Sequence, residues 1–127
     1  MHLNHLNLPV SDVAVARSFF QDMFGFTTVL AGGDALAILD DGHGTTLVLM
    51  NGGRMNAAQD GNEPPDYPAG FHVGFIVASR AEVDAAHARL AAAGHPLDHA
   101  PRRQHGSYGF YVKALDGILI EVATTAP

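Results

Sequence analysis

Three side chains that can bind a metal ion interrupt apolar strand patterns in this chain of 127 residues: His5, His72 and Glu121. Glu121 lies within the run Ile-Leu-Ile-Glu-Val-Ala, where burying a carboxylate is costly unless it is paired or bound to a metal. Strand alternation places each of the three on the face opposite an apolar row. Two imidazoles and one carboxylate that leave open positions are typical of a catalytic site for Fe(II), Mn(II) or Zn(II).

The first half of the chain is predicted to form a strand that contains His5, then a helix and three further strands. Alternation of apolar and polar residues indicates the strand over 2–10. The helix over 12–24 begins at Ser11 or Asp12, either of which can cap it, and ends at Gly25. Turn-forming residues separate three further strands, predicted at about 26–31, 35–40 and 45–50.

The second half repeats this order. The strand that contains His72 precedes a helix that begins at Ser79, where Glu82 completes a capping box, and ends at Gly94. Three strands are predicted after it, at about 96–100, 107–113 and 117–124. Each half is therefore a βαβββ unit that opens with a histidine, and the fold class is α+β. If the two units pair about a pseudo-twofold axis, the three candidate ligands can converge.

The composition excludes several classes of function. The absence of cysteine rules out disulfides, thiolate catalysis and iron–sulfur clusters. A net charge of −6 with Lys113 as the single lysine speaks against nucleic-acid binding, which depends on clustered basic residues. Because neither a signal peptide nor a long apolar stretch is visible, we expect a cytoplasmic protein without a membrane partner.

Three motifs occur in the order and at the places typical of one family: His5–Asp12 (HLNLPVSD), Gly70–Phe75 (GFHVGF) and Asp116–Glu121 (DGILIE). With them the chain resembles the vicinal oxygen chelate superfamily, also called glyoxalase/bleomycin resistance/dioxygenase proteins. The resemblance implies two paired βαβββ modules that form a curved mixed sheet around a metal cleft, with the helices outside. It also implies that the three candidate ligands bind one divalent metal, for which Fe, Mn, Zn and Ni are all suitable.

We expect one domain over 1–127, divided into module one at 1–51, a linker loop at 52–69 and module two at 70–127. The linker holds Arg54, which we assign to binding an anionic part of the substrate. We also expect a homodimer, because family members commonly pair modules within or across chains and exposed sheet edges are usually covered.

The resemblance is incomplete at the last strand of module one. Members similar to glyoxalase I take a fourth ligand, Glu or Gln, from that strand, whereas residues 45–50 read Thr-Thr-Leu-Val-Leu-Met. Isomerisation needs a carboxylate base at the metal, so this activity is disfavoured. The three-ligand pattern is instead similar to that of extradiol dioxygenases and fosfomycin-resistance thiol transferases. The dioxygenases carry an active-site tyrosine ten residues before the ligand Glu, and Tyr111 stands at that spacing.

The resemblance implies a metal-dependent enzyme whose small-molecule substrate chelates the metal through vicinal oxygens, and we favour dioxygenase-like chemistry. Tyr111 and, as a proton relay, His105 are the candidate catalytic residues. One alternative is a thiol transferase or lyase. Another is a metal-free protein that binds an antibiotic, as in the bleomycin-resistance branch of the family. Because that branch typically lacks the ligand triad, the sequence favours the enzyme.

Overall fold

A computed structural model of the chain describes residues 1–52 and 65–127. The chain forms two compact units, unit 1 over Met1–Asp66 and unit 2 over Tyr67–Pro127. The division falls inside the linker predicted at 52–69. Within the described residues, no helix is both long and apolar enough to span a membrane.

Unit 1 contains one helix and a four-stranded mixed sheet in the part that the structure describes. The strands lie in the order β1-β4-β3-β2, with β1 parallel to β4 and the other neighbours antiparallel. The elements are, in chain order, β1 (His5–Val10), α1 (Val13–Phe24), β2 (Thr27–Gly32), β3 (Leu36–Asp40) and β4 (Thr46–Asn51). The predicted strand-helix-three-strand order is confirmed.

Helix α1 begins and ends at the residues that the sequence predicts. Of the two capping candidates, Asp12 is the N-cap, since its side chain accepts a hydrogen bond of 3.0 Å from the Val15 amide. Gly25 adopts a left-handed conformation with φ of 72° and ends the helix. Between these ends, one apolar stripe of the helix is buried: Val13, Ala16, Phe19 and Phe20.

An aromatic cluster forms the centre of the unit 1 core. Phe20 is fully buried, and its ring lies 5.3 to 6.0 Å from three other phenylalanine rings, those of Phe19, Phe24 and Phe26. Edge-to-face geometry dominates these pairs, as the ring quadrupoles favour. Buried side chains of the strands complete this core: Leu8, Val10, Ala37, Leu39, Leu47 and Leu49.

Unit 2 repeats the architecture of unit 1. Its strands lie in the order β5-β8-β7-β6, with β5 parallel to β8 and the remaining pairs antiparallel. The elements are β5 (His72–Ile76), α2 (Arg80–Ala92), β6 (Arg102–Gln104), β7 (Ser107–Ala114) and β8 (Ile118–Thr124). Two βαβββ modules with mixed sheets confirm the α+β class.

Helix α2 begins at the predicted capping box. The Ser79 hydroxyl accepts a hydrogen bond of 3.3 Å from the Glu82 amide, and the Glu82 carboxylate accepts one of 3.0 Å from the Ala78 amide. The apolar spacing of Val83, Ala86 and Leu90 predicts a stripe that continues to Ala93. The buried stripe ends at Leu90, so this prediction is wrong at Ala93. Ala93 is the exposed C-cap residue, beyond the last turn that contacts the sheet.

The strand predicted at 96–100 is also wrong, because strand β6 lies later in the chain, at Arg102–Gln104. His105 and Gly106, with φ of 48° and 85°, form a two-residue turn that joins β6 to β7. Positive φ at both central residues is the signature of the hairpin turn that matches strand twist. The hairpin pairs the two residues that flank the turn, Gln104 before it and Ser107 after it. Residues 96–100 remain irregular.

Candidate metal centre

One face of the unit 2 sheet brings three of the predicted residues together. Strand register places Tyr111 of β7 and Gly74 of β5 directly opposite Glu121 of β8, one on each side of it. His72 lies two residues before Gly74 on β5, so its side chain is on the same face. The alternate β8 residues Ile118, Ile120 and Val122 are buried on the other face, which confirms the predicted orientation of Glu121.

His72 and Glu121 form the closest pair of metal-binding groups on this face. The Nε2 atom of His72 lies 3.6 Å from the Oε2 atom of Glu121. The His72 side chain is 40% exposed and that of Glu121 is 22% exposed, so a small ion or molecule can reach both from solvent. Neither group is enclosed in the core, which means that both keep their ligand atoms available.

The backbone holds the His72 ring in the tautomer that a metal requires. Nδ1 of His72 lies 3.0 Å from the Gly70 carbonyl oxygen. Because a carbonyl oxygen only accepts, Nδ1 carries the hydrogen, and the lone pair of the neutral ring is then on Nε2. Metal-binding histidines almost always donate their other ring N–H to an oxygen in this way. The nitrogen that faces Glu121 is therefore the one able to coordinate a cation.

Tyr111 completes the polar cluster of unit 2. Its hydroxyl donates a hydrogen bond to Glu121, and its ring meets the His72 ring edge-on at 5.8 Å between centroids. Burial raises the pKa of the Tyr111 hydroxyl, and the hydrogen bond and negative charge of Glu121 raise it further. Tyr111 therefore keeps its proton at neutral pH and serves as a hydrogen-bond donor at the carboxylate.

His5, the third predicted ligand, belongs to unit 1 and opens strand β1 there. Its side chain is exposed, and Nδ1 lies 3.2 Å from the Asn4 side-chain oxygen. With the amide oxygen as acceptor, Nδ1 again carries the hydrogen and Nε2 is left as the coordinating atom. His5 thus has the same ring tautomer as His72, although a side chain rather than the backbone holds it.

The two donor atoms of unit 2 fit one divalent ion. Bonds from such a metal to imidazole nitrogen and carboxylate oxygen are each about 2.1 Å, so two atoms up to about 4.2 Å apart can share one ion. The observed 3.6 Å lies within that range. Among residues 1–52 and 65–127, no three His, Asp or Glu side chains form a ready metal cluster. Unit 2 therefore offers two candidate ligands, and a three-ligand site would need one more.

His105, another of the predicted site residues, is not part of the unit 2 cluster. His105 is exposed in the β6–β7 turn, and the four residue steps from Ser107 to Tyr111 span about 13 Å of strand. Its role as a proton relay stays a prediction. Arg54 lies outside the described residues.

Sequence reasoning missed the oxygens that orient the two histidine rings. The Gly70 carbonyl contributes through the turn before β5, in which the Phe71 amide donates to the Pro68 carbonyl. The only available sequence signal was the turn-forming run of Pro68, Ala69 and Gly70 before the histidine. Asn4, which adjoins His5, was visible in the sequence but carried no distinguishing pattern.

Solved structures of similar fold come from several bacteria. A possible glyoxalase from Bacillus cereus is 37% identical, with a TM-score of 0.80 and coverage of 97% of this chain and 98% of that one. A lactoylglutathione lyase from Agrobacterium tumefaciens is 27% identical, with a TM-score of 0.75 and coverage of 97% and 92%. A glyoxalase/bleomycin resistance protein/dioxygenase family enzyme from Burkholderia phytofirmans has a TM-score of 0.81 at 20% identity, covers 99% and 100%, and so shows the fold.

The comparison with family models agrees with this structural similarity. A search of curated protein sequences gives no match. The family model of the Glyoxalase/Bleomycin resistance protein/Dioxygenase superfamily matches residues 2–122, nearly the whole chain. The resemblance drawn from the three motifs is confirmed, and this chain belongs to the glyoxalase/bleomycin resistance protein/dioxygenase superfamily.

Proposed function

We propose that this protein is a metal-dependent enzyme acting on a small molecule that chelates a divalent metal through vicinal oxygens. His72 and Glu121 hold the metal from unit 2, and His5 is the third ligand. The observation that carries the proposal is the His72 ring, whose Nδ1 is bound to the Gly70 carbonyl while Nε2 faces the Glu121 carboxylate at 3.6 Å. With Nδ1–H held in this way, the neutral ring directs its coordinating nitrogen toward the carboxylate, as in metal-binding histidines.

The chain's own residues divide the chemical roles. When bound, a divalent metal supplies Lewis acidity to the substrate oxygens that chelate it. Glu121 contributes negative charge, and the Gly70 carbonyl keeps the His72 lone pair on Nε2, the nitrogen that faces Glu121. Tyr111 holds a proton next to Glu121, where it can donate a hydrogen bond or the proton itself to a substrate oxygen.

The reaction class that we favour is oxygenation of a vicinal diol, such as a catechol. Register places Val48 of β4 opposite Asn7 of β1, as Glu121 is opposite Gly74 in unit 2. Isomerisation by proton shuttling requires a base, and the unit 1 equivalent of Glu121 is an aliphatic residue. Thiol transfer to an anionic phosphonate requires cationic groups, which a chain with a net charge of −6 and one lysine supplies poorly.

A metal-free binding protein is the second candidate function. It is favoured by the solvent-accessible His72–Glu121 pair, beside which the Tyr111 hydroxyl provides a further polar group. In that case the His72–Glu121 pair binds a polar group of the guest molecule directly, and Tyr111 adds a hydrogen bond. This candidate predicts tight binding of an antibiotic-like molecule that added chelator does not weaken.

We further propose that the protein is a cytoplasmic homodimer. Each sheet leaves two edge strands, β1 and β2 in unit 1 and β5 and β6 in unit 2, and unpaired edges are usually covered. Light scattering should give twice the chain mass of 13.4 kDa, and a mass of 13.4 kDa at micromolar concentration would contradict the dimer.

Oxygen uptake by anaerobically reconstituted protein tests the favoured reaction. Protein loaded with Fe(II) should consume oxygen in the presence of at least one member of a panel of catechols, and Glu121→Gln should abolish the uptake. His95→Ala is the matched control, because His95 lies outside the candidate site. No uptake with any catechol, together with turnover of a thiol adduct or an epoxide with Mn(II), would move the assignment to the transferase or lyase class.

A further inference from the structure

We infer that Gly74 is a specificity-determining residue, which leaves space beside Glu121 for a broad, apolar ligand that chelates the metal through two oxygens. This inference rests on the proposed function. The fold does not require glycine at position 74, so the missing side chain bears on which ligands the site can accept.

Gly74 occupies the middle of strand β5 without a conformational reason. Its φ is not in the left-handed region, so the backbone there suits any residue. A methyl group at position 74 would lie 3.5 Å from the Glu121 Oε2 atom, which is an ordinary van der Waals distance. Glycine weakens a strand interior, because it loses more backbone entropy on folding and packs no side chain. Glycine at position 74 therefore lowers the stability of the strand, and packing does not explain its presence there.

Gly109 of β7 shows what a structurally required glycine looks like in the same sheet. A methyl group there would overlap the Val122 carbonyl oxygen and the backbone of Ala123, so only glycine fits. At Gly74 the nearest atom is instead the end of the Glu121 side chain. A glycine inside a strand often marks a bulge or a place where a ligand or another backbone approaches closely, and β5 pairs with β8 without a bulge at Gly74.

The surroundings of Gly74 indicate the kind of ligand. Tyr111 flanks Glu121 on the β7 side, whereas Gly74 leaves the β5 side without a side chain. Ile76, two residues along the same face, is 71% exposed and presents apolar surface next to this gap. A ligand whose oxygens reach the metal beside Glu121 can thus extend its body over Gly74 and contact Ile76. Planar aromatic diols have this shape and polarity.

The test compares ligands of different breadth on metal-loaded protein. We would load wild type, Gly74→Val and Gly74→Ala with Co(II) and titrate each with 4-nitrocatechol and with azide, following the absorption spectra. Gly74→Val should weaken 4-nitrocatechol binding at least tenfold, with Gly74→Ala intermediate. Co(II) and azide affinities should stay within threefold of wild type in both variants, because neither needs room beyond the metal itself.

Gly32→Val is the matched control, because Gly32 is also an edge-strand glycine with an ordinary φ, and a methyl group there would make only ordinary van der Waals contacts, at 3.7 Å or more. It should bind 4-nitrocatechol as wild type does. If wild type binds Co(II) and 4-nitrocatechol but Gly74→Val binds both equally well, the role of Gly74 is refuted while the proposed function stands. If wild type binds no metal, the proposed function fails and the inference fails with it.

Thermal unfolding without metal tests the structural part of the inference separately. Gly74→Ala should melt at or above the temperature of wild type, whereas Gly109→Ala should melt clearly below it. A lower melting temperature for Gly74→Ala would show that the fold requires glycine there, and would overturn the inference.

Discussion

His5 and His72 occupy the same place in two copies of one architecture, the first residue of the strand that pairs in parallel with the last strand of its unit. The residues around them differ. Register matches Val48 of unit 1 with Glu121 of unit 2, since each lies two residues beyond the partner of its histidine. The β3 residue opposite Val48 is Ile38, where unit 2 has Tyr111 opposite Glu121.

The difference shows that the shared strand order and register do not by themselves produce a polar cluster. Unit 1 fills the matching positions with aliphatic side chains, and Asn7 there donates to the Met50 sulfur rather than to an acid. Unit 2 fills them with a carboxylate and a phenol, and leaves glycine beside them. Three differences on one sheet face therefore separate unit 1, which has one candidate ligand, from unit 2, which has two candidate ligands and the hydroxyl of Tyr111 beside them.

The largest effect on stability should come from the aromatic core that distinguishes unit 1. Phe20→Ala should lower the free energy of unfolding by about 3–5 kcal/mol, because it removes the fully buried ring at the centre of the phenylalanine cluster. Chemical denaturation monitored by circular dichroism measures the change. Val29→Ala, at a position 65% exposed, is the control and should cost under about 0.5 kcal/mol. A Phe20→Ala cost as small as that of the control would show that the cluster does not hold unit 1 together.

The next effect concerns Tyr111, whose counterpart in unit 1 is the aliphatic residue Ile38. Tyr111→Phe should lower kcat by about 10²-fold, the lower end of general acid catalysis, and leave metal affinity within threefold, because the hydroxyl touches Glu121 but is not a ligand. Steady-state kinetics on the metal-loaded enzyme measures the first quantity, and metal titration the second. An unchanged kcat would remove Tyr111 from the chemistry and leave it a packing residue.

Alkaline pH should destabilise the protein through unit 2, which holds all three tyrosines of the chain. Burial, with the negative charge of Asp116, raises the pKa of Tyr67 from 10.0 to about 12. A raised folded-state pKa stabilises the fold below the unfolded value, and this contribution is lost as pH rises from 10 to 12. The free energy of unfolding should therefore fall over that range, and less steeply in Tyr67→Phe. Equal slopes in wild type and variant would contradict this assignment.

The smallest effect should come from His105, the predicted relay residue that lies outside the cluster. His105→Asn preserves the left-handed turn, because asparagine tolerates positive φ, and should change the free energy of unfolding by under about 0.5 kcal/mol. Metal affinity should not change. A fall in kcat at constant metal affinity would support a relay role and extend the unit 2 site toward the β6–β7 turn.

Sequence patterns predicted the elements best where local signals and packing agree. Asp12 and Ser79 marked the helix starts because capping is a local interaction. The strand before β7 was misplaced because its position depends on the turn at His105 and Gly106, and a His-Gly turn is a weak hairpin signal. The orientation of Glu121 followed from alternation. The strand register was needed to show that Gly74 and Tyr111 lie beside Glu121 and that Val48 is its counterpart in unit 1. Register is set by long-range pairing and cannot be found from local sequence alone.

Metal content of paired variants tests most directly the claim that unit 2 carries the metal pair. Wild type purified without chelator and titrated with Fe(II), Mn(II), Zn(II) or Ni(II) should bind one ion per chain. His72→Ala and Glu121→Gln should each lower the affinity at least 100-fold, whereas Val48→Ala, at the matching position of unit 1, should bind as wild type does. One ion per chain with unchanged affinity in both His72→Ala and Glu121→Gln would contradict the account.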